Sequence, residues 1–329
     1  MAFDLGEAVD VHHHWIPQEL VDHLADYLPD GYSIRETPGI KNIIDPKGLR
    51  VQSVFVEEFP DLEHRLQLME EAGVQQAILS PGCYPNWITM KAARLLNDAS
   101  TDVARKYGDR LKPMVNVPPY GEPGILEEME RAAKLGLTGV AATAHFGGQY
   151  VDEEAYIPFF QKAAELDLPV FIHAAGAPVY YDDLIKYSLT TPMGRSFDLC
   201  LVPLRLIMSG RLDGIPNLKV VIAHLGGFTF LNLKRFFGPP AREGHGGVTL
   251  DQARKSMERM LFDTAPAGWF GAAEIRFAIS ALGVERVALG SDYPHGSLQE
   301  AMDHLRGLNS DDAVKRQVAG ENARAFYKL

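Results

Sequence analysis

Short apolar runs alternate with longer amphipathic segments along the whole chain, and this alternation limits the possible folds more than any other feature. Eight runs have the length and β-branched composition of buried strands. They are Ala8–His13, Gln76–Ser80, Lys112–Val117, Gly139–Thr143, Pro169–His173, Lys219–His224, Arg259–Asp263 and Arg286–Ser291. Strands that alternate with helices pair in parallel through right-handed crossovers, so the pattern predicts an α/β protein.

The segments between these runs have the periodicity of amphipathic helices. They are Leu62–Ala72, Trp87–Lys106, Gly124–Leu135, Glu154–Leu166, Phe197–Arg211, Phe228–Phe236, Gly271–Ala281 and Leu298–Leu308. Gly73, Gly136 and Gly283 follow three of the helices, as is typical of the residue just beyond a helix end. Eight strand–helix units favour a closed (β/α)8 barrel of the TIM type, with a doubly wound open sheet as the alternative.

The chain length of 329 residues suits one barrel of about 250 residues with long loops, so we expect a single domain over 1–329. Trp15–Pro60, that is residues 15–60, is predicted to be an insertion over the barrel mouth, after strand one. Ala174–Ser196 follows strand five, and Gly238–Thr249 follows the helix after strand six. We interpret these segments as lids or subunit contacts, with ordinary surface insertions as the alternative.

Composition and net charge limit the kinds of binding partner and the cellular compartment that we expect for this protein. The formal net charge of −11 argues against a nucleic-acid partner, because phosphates require a basic surface. Cys83 and Cys200 form no disulfide pattern, which fits a reducing cytoplasm. The first residues lack the pattern of a secretory signal, and no apolar run is long enough to span a bilayer. We therefore expect a cytoplasmic protein without a membrane partner.

Histidines end the first predicted strand. His12 and His14 are two residues apart, so their side chains share one face of the strand at a spacing of roughly 6.5–7 Å. Two imidazoles at that spacing can bind one metal ion. His13 points to the other face, which excludes it as a ligand.

Further polar side chains stand at the ends of other strands. His173 ends strand five, His224 ends strand six and Asp292 follows strand eight, each where its strand reaches the barrel mouth. A single histidine in such a place is usually a hydrogen-bonded structural residue, but four imidazoles and a carboxylate at one rim favour a metal site. Nitrogen and oxygen ligands of this kind suit Zn²⁺, with Mn²⁺ or Fe²⁺ as alternatives.

The end of strand four argues for one metal rather than two. Residues 138–145 contain neither Lys nor Glu, whereas a two-metal site in this architecture needs a bridging group there, commonly a carboxylated lysine. His145 stands at this strand end as a candidate that contacts the substrate or supports a ligand. An ordinary loop histidine is the alternative.

Five sequence pieces together resemble a known family. They are Asp10-Val-His12-His-His14, His173, His224-Leu-Gly-Gly, Gly290-Ser-Asp292-Tyr-Pro and Asn322-Ala-Arg. In this order they resemble the amidohydrolase superfamily, in the amidohydrolase-2 group that includes aminocarboxymuconate-semialdehyde decarboxylase and related metal-dependent decarboxylases. The resemblance extends from residue 10 to residue 324.

The resemblance implies a role for each matching residue. It implies that His12, His14, His173 and Asp292 bind the metal, and that His224 is the catalytic histidine that deprotonates metal-bound water. Asp292 is a second candidate for proton transfer. Some relatives have glutamate at the first position, so His12 favours the Zn²⁺ type of site over the Mn²⁺ type.

Substrate contacts are less sharply defined. Arg235 lies eleven residues after His224, and this spacing resembles that of an arginine that reaches a substrate carboxylate in the neighbouring subunit, so we expect a homodimer. Arg50 is the nearest candidate for a second family arginine but does not align cleanly. Tyr180 belongs to a tyrosine-rich loop that suits a flat substrate, although tyrosines also fill ordinary lids.

Two reactions are compatible with these residues. We expect a nonoxidative decarboxylase (carboxy-lyase) that acts on a small aromatic or muconate-like carboxylic acid, because the spacing of Arg235 resembles that of the decarboxylases and the tyrosine-rich loop suits a flat substrate. The alternative is a hydrolase that cleaves an amide, lactone or ester with metal-activated water. A metal-binding barrel without catalysis is disfavoured because the presumed ligands and His224 are all present.

Overall fold

The computed structural model describes residues 7–179, 182–238, 247–265 and 270–329. The strands are β1 Ala8–His14, β2 Ser33–Thr37, β3 Ile40–Ile44, β4 Arg50–Phe55, β5 Val74–Ser80, β6 Leu111–Pro113, β7 Val115–Asn116, β8 Val140–Thr143, β9 His145–Phe146, β10 Gln149–Tyr150, β11 Val170–His173, β12 Val220–Ile222, β13 Met260–Asp263 and β14 Val287–Ala288. The α-helices are α1 Gln18–Asp22, α2 Leu62–Ala72, α3 Met90–Tyr107, α4 Ile125–Lys134, α5 Ile157–Glu165, α6 Arg195–Met208, α7 Arg211–Gly214, α8 Leu233–Phe236, α9 Leu250–Ser256, α10 Ala272–Leu282, α11 Leu298–Arg306, α12 Asp312–Arg316 and α13 Asn322–Tyr327.

Parallel strands follow one another around a barrel in chain order. Pairing runs from β1 through β5 to β6, and β7 continues the line of β6 and leads through β8, β11, β12 and β13 to β14. The barrel closes where Val11 N donates to Leu289 O at 2.9 Å and Asp292 N donates to His12 O at 2.8 Å. The predicted (β/α)8 barrel is confirmed, and the open sheet is wrong.

The barrel strands are buried because both of their faces are covered. All seven residues of β1 are buried, and so are all residues of β8, β11, β12 and β13. Gly73 and Gly136 have φ angles of 80° and 92°, so these glycines follow their helices as the sequence predicts. Within the described ranges, no helix is long and apolar enough to cross a membrane.

The segment after β12 differs from its prediction. Phe228–Phe236 was predicted as one helix but forms a single turn at Thr229–Leu231 followed by the short helix α8. The chain turns sharply just before it, since Gly227 has a φ of 60° and a Cβ there would lie 1.9 Å from Ser196 O. Phe230 is buried while Phe228 and Leu231 are exposed, so docking rather than helix formation sets the apolar spacing.

Residues 15–60 carry their own small sheet at the C-terminal ends of the barrel strands. Strands β2, β3 and β4 pair antiparallel, and β4 contacts two barrel loops. Gln52 Nε2 donates to Pro81 O at 3.2 Å after β5, and Arg195 Nη2 donates to Val51 O at 2.8 Å from the start of α6. Residues 239–246 of the predicted loop Gly238–Thr249 and the tyrosine pair at 180–181 lie outside the described residues.

A buried arginine ties the end of this insertion to β1. The guanidinium of Arg65 donates to His14 O at 2.8 Å, Phe59 O at 2.9 Å and Glu58 O at 3.1 Å, and it lies 5.0 Å from the ring centre of Tyr293. Burial lowers the pKa of Arg65 to about 10, so the side chain stays charged at neutral pH. Arg65 therefore positions the carbonyl of a residue at the barrel mouth.

Replacing Arg65 by Met should lower the free energy of unfolding by about 2–4 kcal/mol, because the substitution leaves three carbonyl acceptors without their donor. Urea denaturation measures the change. Arg105→Met is the control: Arg105 is 72% exposed in a surface ion pair, so its loss should change stability by less than about 0.5 kcal/mol. Equal effects of the two substitutions would contradict the assigned role of Arg65.

Candidate metal centre

Four donor side chains meet at the barrel mouth. His12 and His14 lie at the end of β1, His173 ends β11 and Asp292 follows β14, and one donor atom from each lies within 4.8 Å of the others. The Nε2 atoms of His12 and His14 are 3.1 Å apart. Asp292 Oδ1 lies 2.8 Å from Nε2 of His14 and 3.3 Å from Nε2 of His12. The alternation of side chains along β1 thus brings both predicted histidines to one point.

The outer nitrogen of each imidazole is held by a hydrogen bond. Nδ1 of His12 lies 2.9 Å from Asp263 Oδ2, and Nδ1 of His14 lies 3.1 Å from Ser80 Oγ. Nδ1 of His173 lies 2.9 Å from the carbonyl oxygen of the next residue. An acceptor at Nδ1 selects the tautomer whose lone pair is on Nε2. The rings of His12 and His173 are therefore oriented as ligands.

Burial and two carboxylates set the charge of the cluster. Burial lowers the pKa of His14 and lowers that of His173 well below its usual range, which keeps both imidazoles neutral. Burial alone would also lower the pKa of His12, but Asp263 and Asp292 raise it to about 10. The pKa of Asp292, which burial would raise, is held well below its usual range by His12 and His14. The centre therefore attracts a cation.

Two buried atoms show that the donor set fits a metal. His173 Nε2 has no hydrogen bond, and Asp292 Oδ1 has no partner except the facing Nε2 atoms of His12 and His14. Such atoms are costly to bury, and both belong to the four donors that converge here. Three imidazole nitrogens and one carboxylate oxygen are ligands that suit a divalent transition metal. The cluster is thus a site suited to one divalent ion.

A neighbouring group contains His12, His224 and Asp263 and supports the first cluster rather than forming another. Asp263 Oδ1 accepts from the backbone N–H groups of His224 and Ala265, each at 3.0 Å, while Oδ2 lies against His12. This carboxylate is already occupied by three contacts. Asp263 was not predicted from the sequence, although a carboxylate at the end of a barrel strand was a usable signal.

Unusual backbone geometry accompanies two of these residues. His224 and Asp292 have φ angles of 53° and 64°, a left-handed conformation that non-glycine residues seldom adopt and that often marks functional sites. Gly290, two residues after β14, allows close packing against this cluster, because a Cβ there would lie 2.9 Å from the Cβ of His12 and 3.0 Å from that of Asp263. The motif around Asp292 thus serves close packing as well as the placement of this donor side chain.

A cavity of about 490 Å³ opens onto the cluster. Its walls include His14, His173, His224 and Asp292, together with side chains from residues 15–60. The ring of His224 lies 4.8 Å from that of His12 and 5.2 Å from that of His173, with Nδ1 of His224 3.0 Å from Ala265 O. Metal donors and the predicted catalytic histidine therefore face one cavity.

The predicted substrate residues separate in the structure. Arg50 lines the metal cavity. His145 does not: it lines a neighbouring cavity of about 680 Å³, and its Nε2 is 2.9 Å from Ala177 O. Arg235 is exposed in a surface groove away from the metal cavity, so it does not reach the site of its own chain. Tyr180 lies outside the described residues.

Several residues that line the metal cavity were not predicted from the sequence. His295 lies three residues after Asp292, in the same motif, and its ring centre is 6.0 Å from that of His14. Cys83 Sγ is 3.6 Å from Nδ1 of His173. Arg195 begins α6 and lines the cavity too, but no local motif marks it, because its position depends on how the preceding loop folds.

A metal-binding (β/α)8 barrel with its site at the C-terminal ends of the strands is the class that fold and site define. The amidohydrolase family model Amidohydro_2 matches residues 9–329. The chain therefore belongs to this amidohydrolase family.

Known relatives of the chain include several decarboxylases. Decarboxylase orsB of Emericella nidulans is 24% identical over 281 residues, which cover 80% of this chain and 85% of that protein. Gamma-resorcylate decarboxylase of Rhizobium sp. is 24% identical over 318 residues, or 86% and 95%. The structure of 5-carboxyvanillate decarboxylase from Novosphingobium aromaticivorans, complexed with manganese and 4-hydroxy-3-methoxy-5-nitrobenzoic acid, matches with a TM-score of 0.81 at 24% identity, covering 99% of this chain and 97% of that one.

Replacing Asp263 by Asn should weaken metal binding about 10–100-fold, because Asn keeps the shape but loses the charge that orients His12. Competition with a chelator of known affinity measures the change. Asp251→Asn, on the exposed surface of α9, is the control and should leave the affinity unchanged. If Asp263→Asn bound metal as tightly as the unmodified protein, Asp263 would not support the ligand.

Proposed function

We propose that this chain is a metal-dependent nonoxidative decarboxylase that acts on a small aromatic or muconate-like carboxylic acid. The observation that carries the proposal is the meeting, in one cavity, of a three-histidine, one-aspartate donor set with arginine side chains. Decarboxylases among its relatives support this reaction.

We further propose one domain over 1–329, in which residues 15–60 cover the barrel mouth and form part of the substrate cavity.

Each site residue has a proposed task. His12, His14, His173 and Asp292 would hold the divalent ion, which would polarise an oxygen atom of the bound substrate. His224 moves the proton that replaces the lost carboxylate, and the Ala265 carbonyl holds its ring in place. Asp292 stays ionised because its pKa is held low, so it acts as a ligand in this reaction. Burial of the cluster excludes bulk water from these groups.

The metal is predicted to be Zn²⁺, with Mn²⁺ or Fe²⁺ as alternatives. Three imidazole donors support Zn²⁺. The manganese in the related 5-carboxyvanillate decarboxylase structure supports the alternative. Metal analysis should give about one ion per chain, lost in the double variant His12→Ala, His14→Ala.

Cytoplasmic location likewise stays a prediction, supported by the free and buried Cys83 and Cys200.

Replacing His224 by Asn should lower kcat at least about 100-fold while leaving the metal content unchanged, because the ring transfers a proton and is not one of the four ligands. The assay incubates the protein with hydroxybenzoates, carboxymuconate analogues, lactones and amides, and compares CO₂ release with acid release. His23→Asn is the control, since His23 is 64% exposed. Acid release without CO₂ would establish the hydrolase alternative instead, in which Asp292 or His224 carries the proton to the leaving group.

We also propose a homodimer in which Arg235 serves the neighbouring site. Arg235 is exposed and cannot contact the metal cavity of its own chain. The exposed apolar side chains Phe228, Leu231 and Phe277 line one surface groove, with exposed fractions of 37%, 48% and 49%. Exposed apolar patches of this kind are typical of subunit contacts.

A mixing experiment tests this arrangement. Arg235→Ala and His224→Ala should each be inactive alone, but unfolded together and refolded they should recover activity. If Arg235 acts across the interface, each mixed dimer contains one site with both residues intact. Recovery should approach a quarter of the activity of the unmodified protein, and light scattering should show a dimer. No recovery in mixed dimers would place Arg235 outside the shared site.

A further inference from the structure

We propose that Arg195 binds a second acidic group of the substrate, one that the reaction retains. The inference rests on the proposed decarboxylase function and names a narrower substrate class, namely small planar acids with two acidic groups. Arg195 is the first residue of α6 and lines the metal cavity. The motifs of the sequence do not mark it.

The hydrogen bonds of Arg195 fix its guanidinium without neutralising it. Nη2 donates to Val51 O at 2.8 Å and to Gly176 O at 3.0 Å, and Nε donates to Gly176 O at 3.3 Å. In the described part of the chain, no carboxylate pairs with Arg195, and its Nη1 has no acceptor. A half-buried arginine without an ion pair is prepared to bind an anion.

The two carbonyls that hold Arg195 are themselves closely packed. A Cβ at Gly176 would lie 2.6 Å from both Trp87 Cζ3 and Val51 Cβ, so only glycine allows the loop after β11 to meet β4 here. The guanidinium therefore joins the insertion to the barrel loop in a fixed geometry. Rigid placement of this kind lowers the entropy cost of binding a ligand.

The charges around the cavity also favour an anion. Among the described residues that line it, Arg50 and Arg195 are cationic, and the only acidic side chain is the proposed ligand Asp292. The neighbouring 680 Å³ cavity has the opposite balance, with three acidic side chains, Asp45, Glu122 and Asp182, and one lysine. Cation enrichment is thus local to the metal cavity in a chain of net charge −11.

The chemistry of decarboxylation indicates which acidic group Arg195 binds. The carboxylate that leaves as CO₂ loses its charge as the transition state forms. An arginine bound to it would stabilise the ground state more than the transition state and would slow the reaction. A retained carboxylate keeps its charge throughout, so binding it to Arg195 orients the ring without that penalty. This difference in charge between the leaving and the retained carboxylate favours a substrate with two acidic groups.

Calorimetric titration of the metal-loaded protein with a matched pair of probes tests the proposal. The probes are 4-hydroxybenzoate and 4-hydroxyisophthalate, which share a ring and differ by one carboxylate. The unmodified protein should bind the dicarboxylate at least about tenfold more tightly. Arg195→Met should reduce this preference to less than about twofold while changing the affinity for the monocarboxylate little. Arg195→Lys should restore part of it, because the charge is kept.

The two Arg195 variants separate charge from structure. Neither variant can reproduce the guanidinium bonds from Nε and Nη2 together, and only lysine keeps a charged donor, so a difference between them reports that charged donor. Arg105→Met is the control for a surface arginine. A preference that persists in Arg195→Met, an equal loss of affinity for both probes, or no preference in the unmodified protein would overturn the proposal. Selective binding without CO₂ release from any acid would instead refute the decarboxylase function and leave the anion site intact.

Discussion

The hydrogen bond between Asp263 and Nδ1 of His12 joins the end of β13 to β1, and both His12 and His224 depend on this carboxylate for their placement. It orients His12, and the other oxygen of the same carboxylate holds the backbone at His224. Loss of this carboxylate would remove the support of a ligand and of the proposed proton carrier together. One buried carboxylate thus positions both a proposed metal ligand and the proposed proton carrier.

Burial gives this arrangement its properties. In water, three histidines and two carboxylates would be hydrated separately and would titrate near their usual pKa values. At the closed barrel mouth, neutral imidazoles stay neutral, while the carboxylates beside His12 favour a positive charge between them. A divalent ion held by these donors would supply that charge. Arg50 and Arg195 add positive charge to the cavity next to the cluster, so the site is arranged for an anionic ligand.

The local sequence pattern was sufficient to predict the barrel and the convergence of the four donor side chains. Period-two geometry placed His12 and His14 on one face and excluded His13, whose Nδ1 instead contacts Asp10 at 2.8 Å. The helix predicted at Phe228–Phe236 was wrong because docking onto the barrel produces the same apolar spacing. Arg195 could not be predicted, since its place depends on an irregular loop. His145 was placed at the right strand end, but that end faces another cavity.

The location of the bound ion tests the central claim most directly. Crystals loaded with Zn²⁺ or Mn²⁺ should give one anomalous difference peak per chain, within bonding distance of His12, His14, His173 and Asp292 and roughly 2.0–2.2 Å from the nitrogen and oxygen donors. Two peaks, or one peak between His224 and Asp263, would contradict the account.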